Sequence, residues 1–244
     1  MLELVVARLD RRLDRLLSQP PTTPAARRLF KAMRRDRADL FVLYPKGRVS
    51  DVQRLMMTTA PDDNVHALEI EGTFDDCQAI VKGLFNHHAF RDRVSLSGVN
   101  SINWARIVAQ VVYYFTAAAT LGAPNRKVAF TVPTGNFGDI FAGYVAKRMG
   151  LDIDRLVIAT NVNDILHRAL SSGDYSAGTV TPTAAPSMDI QVSSNFERLL
   201  FELSGRSGKT VTATMERFRG EGEYRLTPVQ RKKLTALFAA GRAN

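Results

Sequence analysis

The chain has 244 residues, 45% hydrophobic and 23% charged, which fits an ordinary soluble globular protein of one large domain or two small ones. No apolar run approaches the roughly 20 residues that cross a bilayer, so no membrane partner is expected. One cysteine, Cys77, excludes an internal disulfide and points to a reducing, cytoplasmic setting, while the net charge of +9 favours anionic partners.

The opening residues are apolar only briefly and then strongly charged. They do not read as a signal peptide, whose basic region precedes its apolar one. Leu9, Leu13, Leu16 and Leu17 share one helical stripe. Pro20, Pro21 and Pro24 then break the helix, because proline lacks the amide donor and restricts its predecessor. Residues 25–37, rich in Ala and Arg, resume it.

An alternation of strands and helices follows. Residues 40–44 predict a strand stopped by Pro45 and Gly47, and Ser50 with Gln53 forms a helix-start capping pair. Residues 65–70 predict a second strand. Gly72 and Thr73 lead into a helix with Phe74, Ile80, Val81, Leu84 and Phe85 at apolar positions. Residues 101–121 predict a long apolar helix closed by Gly122 and Pro124, with Trp104 in the core. A third strand spans 127–132, a helix runs from about 137 to 149 and ends at Gly150, and a fourth strand spans 156–159. Asn163 and Asp164 read as caps of the short helix that follows. Residues 171–194 form a loop long enough to be functional or mobile. From Asn195 onward the tail reads as helical, with Phe196, Leu199, Leu200 and Leu203 on one face.

Such alternation predicts an α/β fold with doubly wound, mainly parallel sheets. The expected organisation is a divergent basic segment over 1–38, a small α/β layer over 39–98 and a larger layer over 99–244 ending in helices. Ligands in such sheets sit beyond the carboxyl ends of the strands, which directs attention to residues 44–50, 133–139 and 160–164.

The turn after the third strand carries the most chemistry. It reads Pro133, Thr134, Gly135, Asn136, Phe137, Gly138, Asp139. Glycines open backbone conformations closed to other residues, and the first amides of a helix lack internal partners at its positive end. Together these features form a cradle for an anion such as phosphate. The turn lacks both the Gly-Lys-Ser/Thr of the Walker loop and the first glycine of the dinucleotide motif. A plain strand-to-helix turn without ligand is the alternative.

The four histidines suggest no metal site. No zinc spacing, helix-turn-helix or RNA-recognition motif accompanies the basic charge, so nucleic acid is not indicated and solvated surface is the simpler reading.

Three further segments, 44–50, 100–106 and 159–165, stand in order with the 133–139 turn. Together with residues 74–78 and 187–190, they resemble the threonine synthase family over roughly 36–240. The resemblance implies a partial fold type II pyridoxal-phosphate enzyme, like the tryptophan synthase β chain. Such enzymes turn O-phosphohomoserine, a small phosphorylated amino acid, into threonine and phosphate. It implies pyridoxal 5′-phosphate as cofactor, an electron sink for successive carbanions, with Thr134, Gly135, Asn136, Phe137, Gly138 and Asp139 around its phosphate. Asn100, Ser101 and Asn103 then suit the substrate end of the cleft. Lys46, Arg48 and Arg106 are candidates for the substrate phosphate, with surface charge the alternative.

The chain departs from this family in three places. No segment resembles the Phe-Lys-Asp that carries the cofactor lysine; Lys31 is the nearest candidate, with the wrong residue after it. The family's Thr-x-His-Pro-Ala-Lys-like segment is also absent, so truncation at both ends is expected. Codons for residues 20–30 can be chosen that read, in the neighbouring frame, Thr-Ser-x-Asp-Thr-Gly-Ser-Ala-Ala-x-Ile, resembling a family loop and suggesting a frameshift that the nucleotide sequence tests. A threonine synthase-like protein without activity of its own is expected from these departures. The alternatives are a non-catalytic binding or partner protein and, on charge alone, a nucleic-acid binder.

Overall fold

A computed structural model describes residues 3–7, 39–99, 103–185 and 188–242. The expected helices before residue 38, the 20–30 segment, Lys31, Asn100 and Ser101 lie outside these residues. The chain divides into two compact units, Met1–Ala109 and Gln110–Asn244, so the division falls inside a helix.

In the first unit the elements are β1 (Glu3–Ala7), β2 (Asp39–Pro45), α1 (Asp51–Thr58), β3 (Val65–Ile70), α2 (Phe74–Asn86), α3 (His88–Arg93) and β4 (Ser97–Gly98). The sheet order is β3-β2-β1-β4. Strand β2 runs parallel to β3, with Val42 opposite Ala67, whereas β1 is antiparallel to both β2 and β4. Side chains of β2 alternate between two buried clusters. Leu40, Val42 and Tyr44 meet Met57 of α1 on one face; Leu43 meets Cys77 and Val81 of α2 on the other. A strand covered on both faces reads as a continuous apolar run, which is why residues 40–44 stood out.

Both helix starts in this unit follow local rules. The Ser50 hydroxyl accepts from the Gln53 amide while Gln53 reaches back, and Thr73 with Asp76 repeats the arrangement. The antiparallel β1 departs from the mainly parallel expectation. Its five residues carry no turn or alternation signal, and pairing with β2 and β4 makes them a strand.

Helix α4 (Trp104–Thr120) spans the division. Ile107, Val111, Tyr114 and Ala118 are buried along one strip. Trp104 is 47% exposed, not the core residue expected, and it shares its strip with the exposed Val108, Val112 and Phe115. At 100° per residue these two strips are neighbours, and only one of them is covered.

The second unit continues with β5 (Val128–Pro133), α5 (Gly138–Arg148), β6 (Ile153–Thr160), α6 (Ile165–Ser171), α7 (Phe196–Leu203), α8 (Gly208–Glu221), α9 (Pro228–Leu237) and β7 (Phe238–Arg242). Its sheet, ordered β5-β6-β7, is parallel throughout. Helix α5 ends in a Schellman arrangement: Leu151 N donates to Ala146 O and Gly150 N to Lys147 O, with Gly150 at φ +106. Strand β7 corrects the helical-tail expectation. Its Phe-Ala-Ala-Gly-Arg carries no β-branched residue, and the strand exists through pairing with β6 and through burial of Phe238, 3% exposed. None of the described helices is long and apolar enough to cross a membrane.

Candidate functional site

The residues expected to form the cradle lie at the carboxyl end of β5. Thr134 N donates to Ala159 O at 2.8 Å, extending the β5–β6 ladder by one bond, and its hydroxyl turns back onto Val132 O at 2.6 Å. The next two carbonyls are held by a distant loop. Gly135 O accepts from Ser193 Oγ at 2.8 Å, and Asn136 O accepts from Asn195 N at 3.0 Å and Asn195 Nδ2 at 3.1 Å.

Phe137 is the N-cap of α5, at φ +65, and no side chain caps the helix there. For a bulky residue this left-handed conformation is an outlier that surrounding structure must sustain. Phe137 is 1% exposed and its ring meets Phe196 at 5.4 Å, Phe238 at 5.6 Å and Phe141 at 6.5 Å between centroids. Asp139, in the first turn, accepts the Tyr114 hydroxyl at both its carbonyl (2.9 Å) and Oδ1 (3.0 Å). Burial first, then the Asp139 charge, push the Tyr114 hydroxyl up, so it stays a donor.

Two hydroxyls close by in the chain order of this site are buried without a hydrogen-bond partner: Thr160 Oγ1, at the end of β6, and Ser194 Oγ, between the residues that hold the carbonyls. Among the described residues no cluster suits a metal ion.

The long loop before α7 is stitched down. Asp189 accepts from Asn161 Nδ2 (2.8 Å), Asn163 Nδ2 (3.1 Å), Thr183 N (2.7 Å) and Thr183 Oγ1 (2.7 Å). Asn163 exchanges bonds with the Thr181 backbone, both at 2.8 Å. Asn163 is therefore a loop anchor and not a helix cap. Asp164 occupies the N-cap of α6 but makes no side-chain cap; its carboxylate takes Arg168 at 3.1 Å and Arg242 at 2.8 Å, because two guanidiniums compete successfully with a backbone amide.

Arg168 also binds Asp174 at 2.6 Å. The Ser176 hydroxyl, followed by this guanidinium, holds the Asp174 carboxyl below its ordinary value. A depressed folded-state value contributes stability that is present above the unfolded carboxylate range, near about 4, and lost as pH falls through the folded value. Asp174→Asn is expected to flatten the acid limb of unfolding below about pH 4, measured by urea midpoints across pH. An unchanged limb refutes this.

The residues expected around a substrate phosphate lie in the unit Met1–Ala109. Lys46 pairs with Glu71 at 2.6 Å, and this bond raises its pKa. Arg48 is exposed beyond β2. Asn103 holds the start of α4, its Nδ2 donating to Gly98 O at 2.6 Å and its Oδ1 accepting from Ala105 N at 2.9 Å. Arg106 Nη1 donates to Val99 O at 3.3 Å. Sequence reasoning missed Tyr175, Ser193 and Asn195; nothing in a Ser- and Thr-rich loop signals which hydroxyl meets the turn.

No family model matches the chain. A threonine synthase from Pseudomonas aeruginosa is 57% identical over 188 residues, 77% of this chain and 40% of that protein. The crystal structure of pyridoxal-phosphate-bound threonine synthase from Brucella melitensis matches with a TM-score of 0.75 at 60% identity, over 84% of this chain and 44% of that one. Threonine synthase from yeast matches with a TM-score of 0.71 at 46% identity, over 83% and 42%. The chain spans between 32% and 43% of the length of the curated relatives it matches. The expected fold type II architecture holds over the shared part. Identity of 57% across 77% of the sequence, with a common α/β fold over 84% of the chain, makes this chain a member of the threonine synthase family.

Proposed function

We propose that this chain binds pyridoxal 5′-phosphate through Thr134, Gly135, Asn136, Phe137, Gly138 and Asp139, as a threonine synthase-like protein. One observation carries the reading. Helix α5 opens on an apolar residue in left-handed conformation with no side-chain cap, while the two carbonyls before it are turned toward residues 193–195. The donors at such a start are backbone amides at the positive end of a helix, which suits a phosphate dianion. The partnerless hydroxyls of Thr160 and Ser194 are of the same chemistry. Support also comes from the Brucella enzyme, which is bound to pyridoxal phosphate.

When bound, the cofactor supplies an electron sink for carbanions. The chain's own residues grip and orient its phosphate, and the Phe137 ring seals the floor of the turn against water. The reaction we assign to the lineage converts O-phosphohomoserine to threonine and phosphate, with Lys46, Arg48 and Arg106 serving the substrate phosphate and Asn100, Ser101 and Asn103 the substrate end of the cleft. The setting is cytoplasmic, in keeping with a single cysteine. These 244 residues include no Phe-Lys-Asp-like segment, and the binding assigned to the turn is noncovalent.

Absorbance and calorimetric titration with pyridoxal phosphate tests this. Saturable binding is expected, competed by inorganic phosphate, with no lysine adduct in the mass spectrum after borohydride reduction. A chain that binds neither compound sinks the proposal. A single reducible lysine adduct instead favours a complete enzyme, and steeply salt-dependent DNA binding alone favours a nucleic-acid binder.

A further inference from the structure

The β5–α5 turn does not hold its own shape. A trans peptide places its amide hydrogen opposite its carbonyl oxygen. Ser193 Oγ takes the carbonyl of the Gly135–Asn136 peptide, and Asn195 takes the carbonyl of the Asn136–Phe137 peptide with two donors. Both amides, on Asn136 and Phe137, are thereby directed away from the 193–195 segment. They point to the side opposite the carbonyls, which is the orientation an anion at the start of α5 requires.

The two holding residues are themselves held. Tyr175, 1% exposed, donates its hydroxyl to Ser193 O at 3.3 Å and accepts from Ser193 N at 3.0 Å. Arg198 Nε donates to Asn195 Oδ1 at 2.8 Å, which fixes the amide so that Nδ2 faces Asn136 O. Ser193 and Asn195 are each 1% exposed. Because Ser193 and Asn195 are buried, their bonds to the two carbonyls are shielded from competing water. The Tyr175 ring stacks on Phe196 at 4.7 Å, and Phe196 meets the Phe137 ring, so the polar brace and the aromatic floor form one block.

We propose that Ser193 and Asn195, braced by Tyr175 and Arg198, are positioning residues that aim the Asn136 and Phe137 amides at the bound phosphate. They act through the far ends of the peptide planes and do not touch the ligand. This inference rests on the phosphate reading above and deepens it.

Calorimetry on the full chain, with pyridoxal phosphate, inorganic phosphate and phosphate-free pyridoxal as probes, separates the two. Ser193→Ala and Asn195→Asp are each expected to weaken both phosphate-bearing probes by about tenfold, leave pyridoxal unchanged, and shift the Asn136 and Phe137 amide signals in nitrogen-edited NMR without ligand. Ser193→Thr keeps the hydroxyl and is expected to retain near-normal affinity. If Ser193→Ala does not fold, Tyr175→Phe removes only the supporting hydroxyl and is expected to give a smaller loss of the same kind. Wild type that binds while these variants bind equally well, or lose pyridoxal in parallel, overturns the positioning role. Wild type that binds no phosphate overturns the functional reading and the aiming role with it, whatever the amide signals show.

Discussion

Phe137→Ala is expected to lower stability by about 3–5 kcal/mol, the range for emptying a buried aromatic site. The ring is 1% exposed and lies among Phe141, Phe196 and Phe238, three elements of the second unit. A loss of that size is a large part of a domain's total of about 5–15 kcal/mol, so a clearly lowered urea midpoint is the expected result. Phe137→Gly gives the sharper comparison. Glycine normally costs stability relative to alanine, but at φ +65 a Cβ carries a penalty of about 1 kcal/mol that glycine avoids. The glycine variant should therefore be the more stable of the two by about 1 kcal/mol, in urea unfolding followed by far-ultraviolet dichroism. An alanine variant that matches wild type, or exceeds the glycine variant, refutes the picture of a strained turn sustained by packing.

Gly143→Ala is expected to destabilise by about 1–3 kcal/mol, reversing the usual gain of about 1 kcal/mol for this change inside a helix. A Cβ at this position of α5 meets Tyr114 Cε1 at 2.6 Å, Tyr114 Cζ at 2.7 Å and Leu156 Cδ2 at 3.0 Å. Tyr114 cannot step aside. Its hydroxyl is tied to Asp139 at 2.9 and 3.0 Å, and its ring rests edge-on against Phe130 at 4.9 Å. Helix and ring therefore approach at glycine distance, and the same tyrosine steadies the first turn of α5. In a Tyr114→Leu background the added methyl should cost far less, a coupling that a double-mutant cycle reads directly. Gly83 of α2 has nothing within 4 Å of an added Cβ, so Gly83→Ala is the control and should stabilise by about 0.5–1 kcal/mol. Equal effects at Gly83 and Gly143 would refute the steric account.

Much of the site was legible because its signals are local. The turn from Val132 to Asp139 joins β5 to α5 through two glycines, so its strand-to-helix course was readable from those few residues alone. The Ser50–Gln53 pair was equally readable, since it closes its bonds within one helical turn. The Asp164 cap was misread for the opposite reason. Its carboxylate is claimed by Arg242, 78 residues away.

The sequence by itself determined the strands β2, β3, β5 and β6 with the helices that follow them, and the position of the glycine-bearing turn after β5. Each rests on periodicity or on bonds between near neighbours. The tertiary structure alone decided that Glu3–Ala7 and Phe238–Arg242 are strands, that Trp104 falls outside the buried strip of α4, and that Ser193 and Asn195 hold the carbonyls of the turn. The physical reason is separation along the chain. Ser193 and Asn195 reach carbonyls 58 and 59 residues earlier, and a hydrogen bond across that distance leaves no periodic trace in either segment.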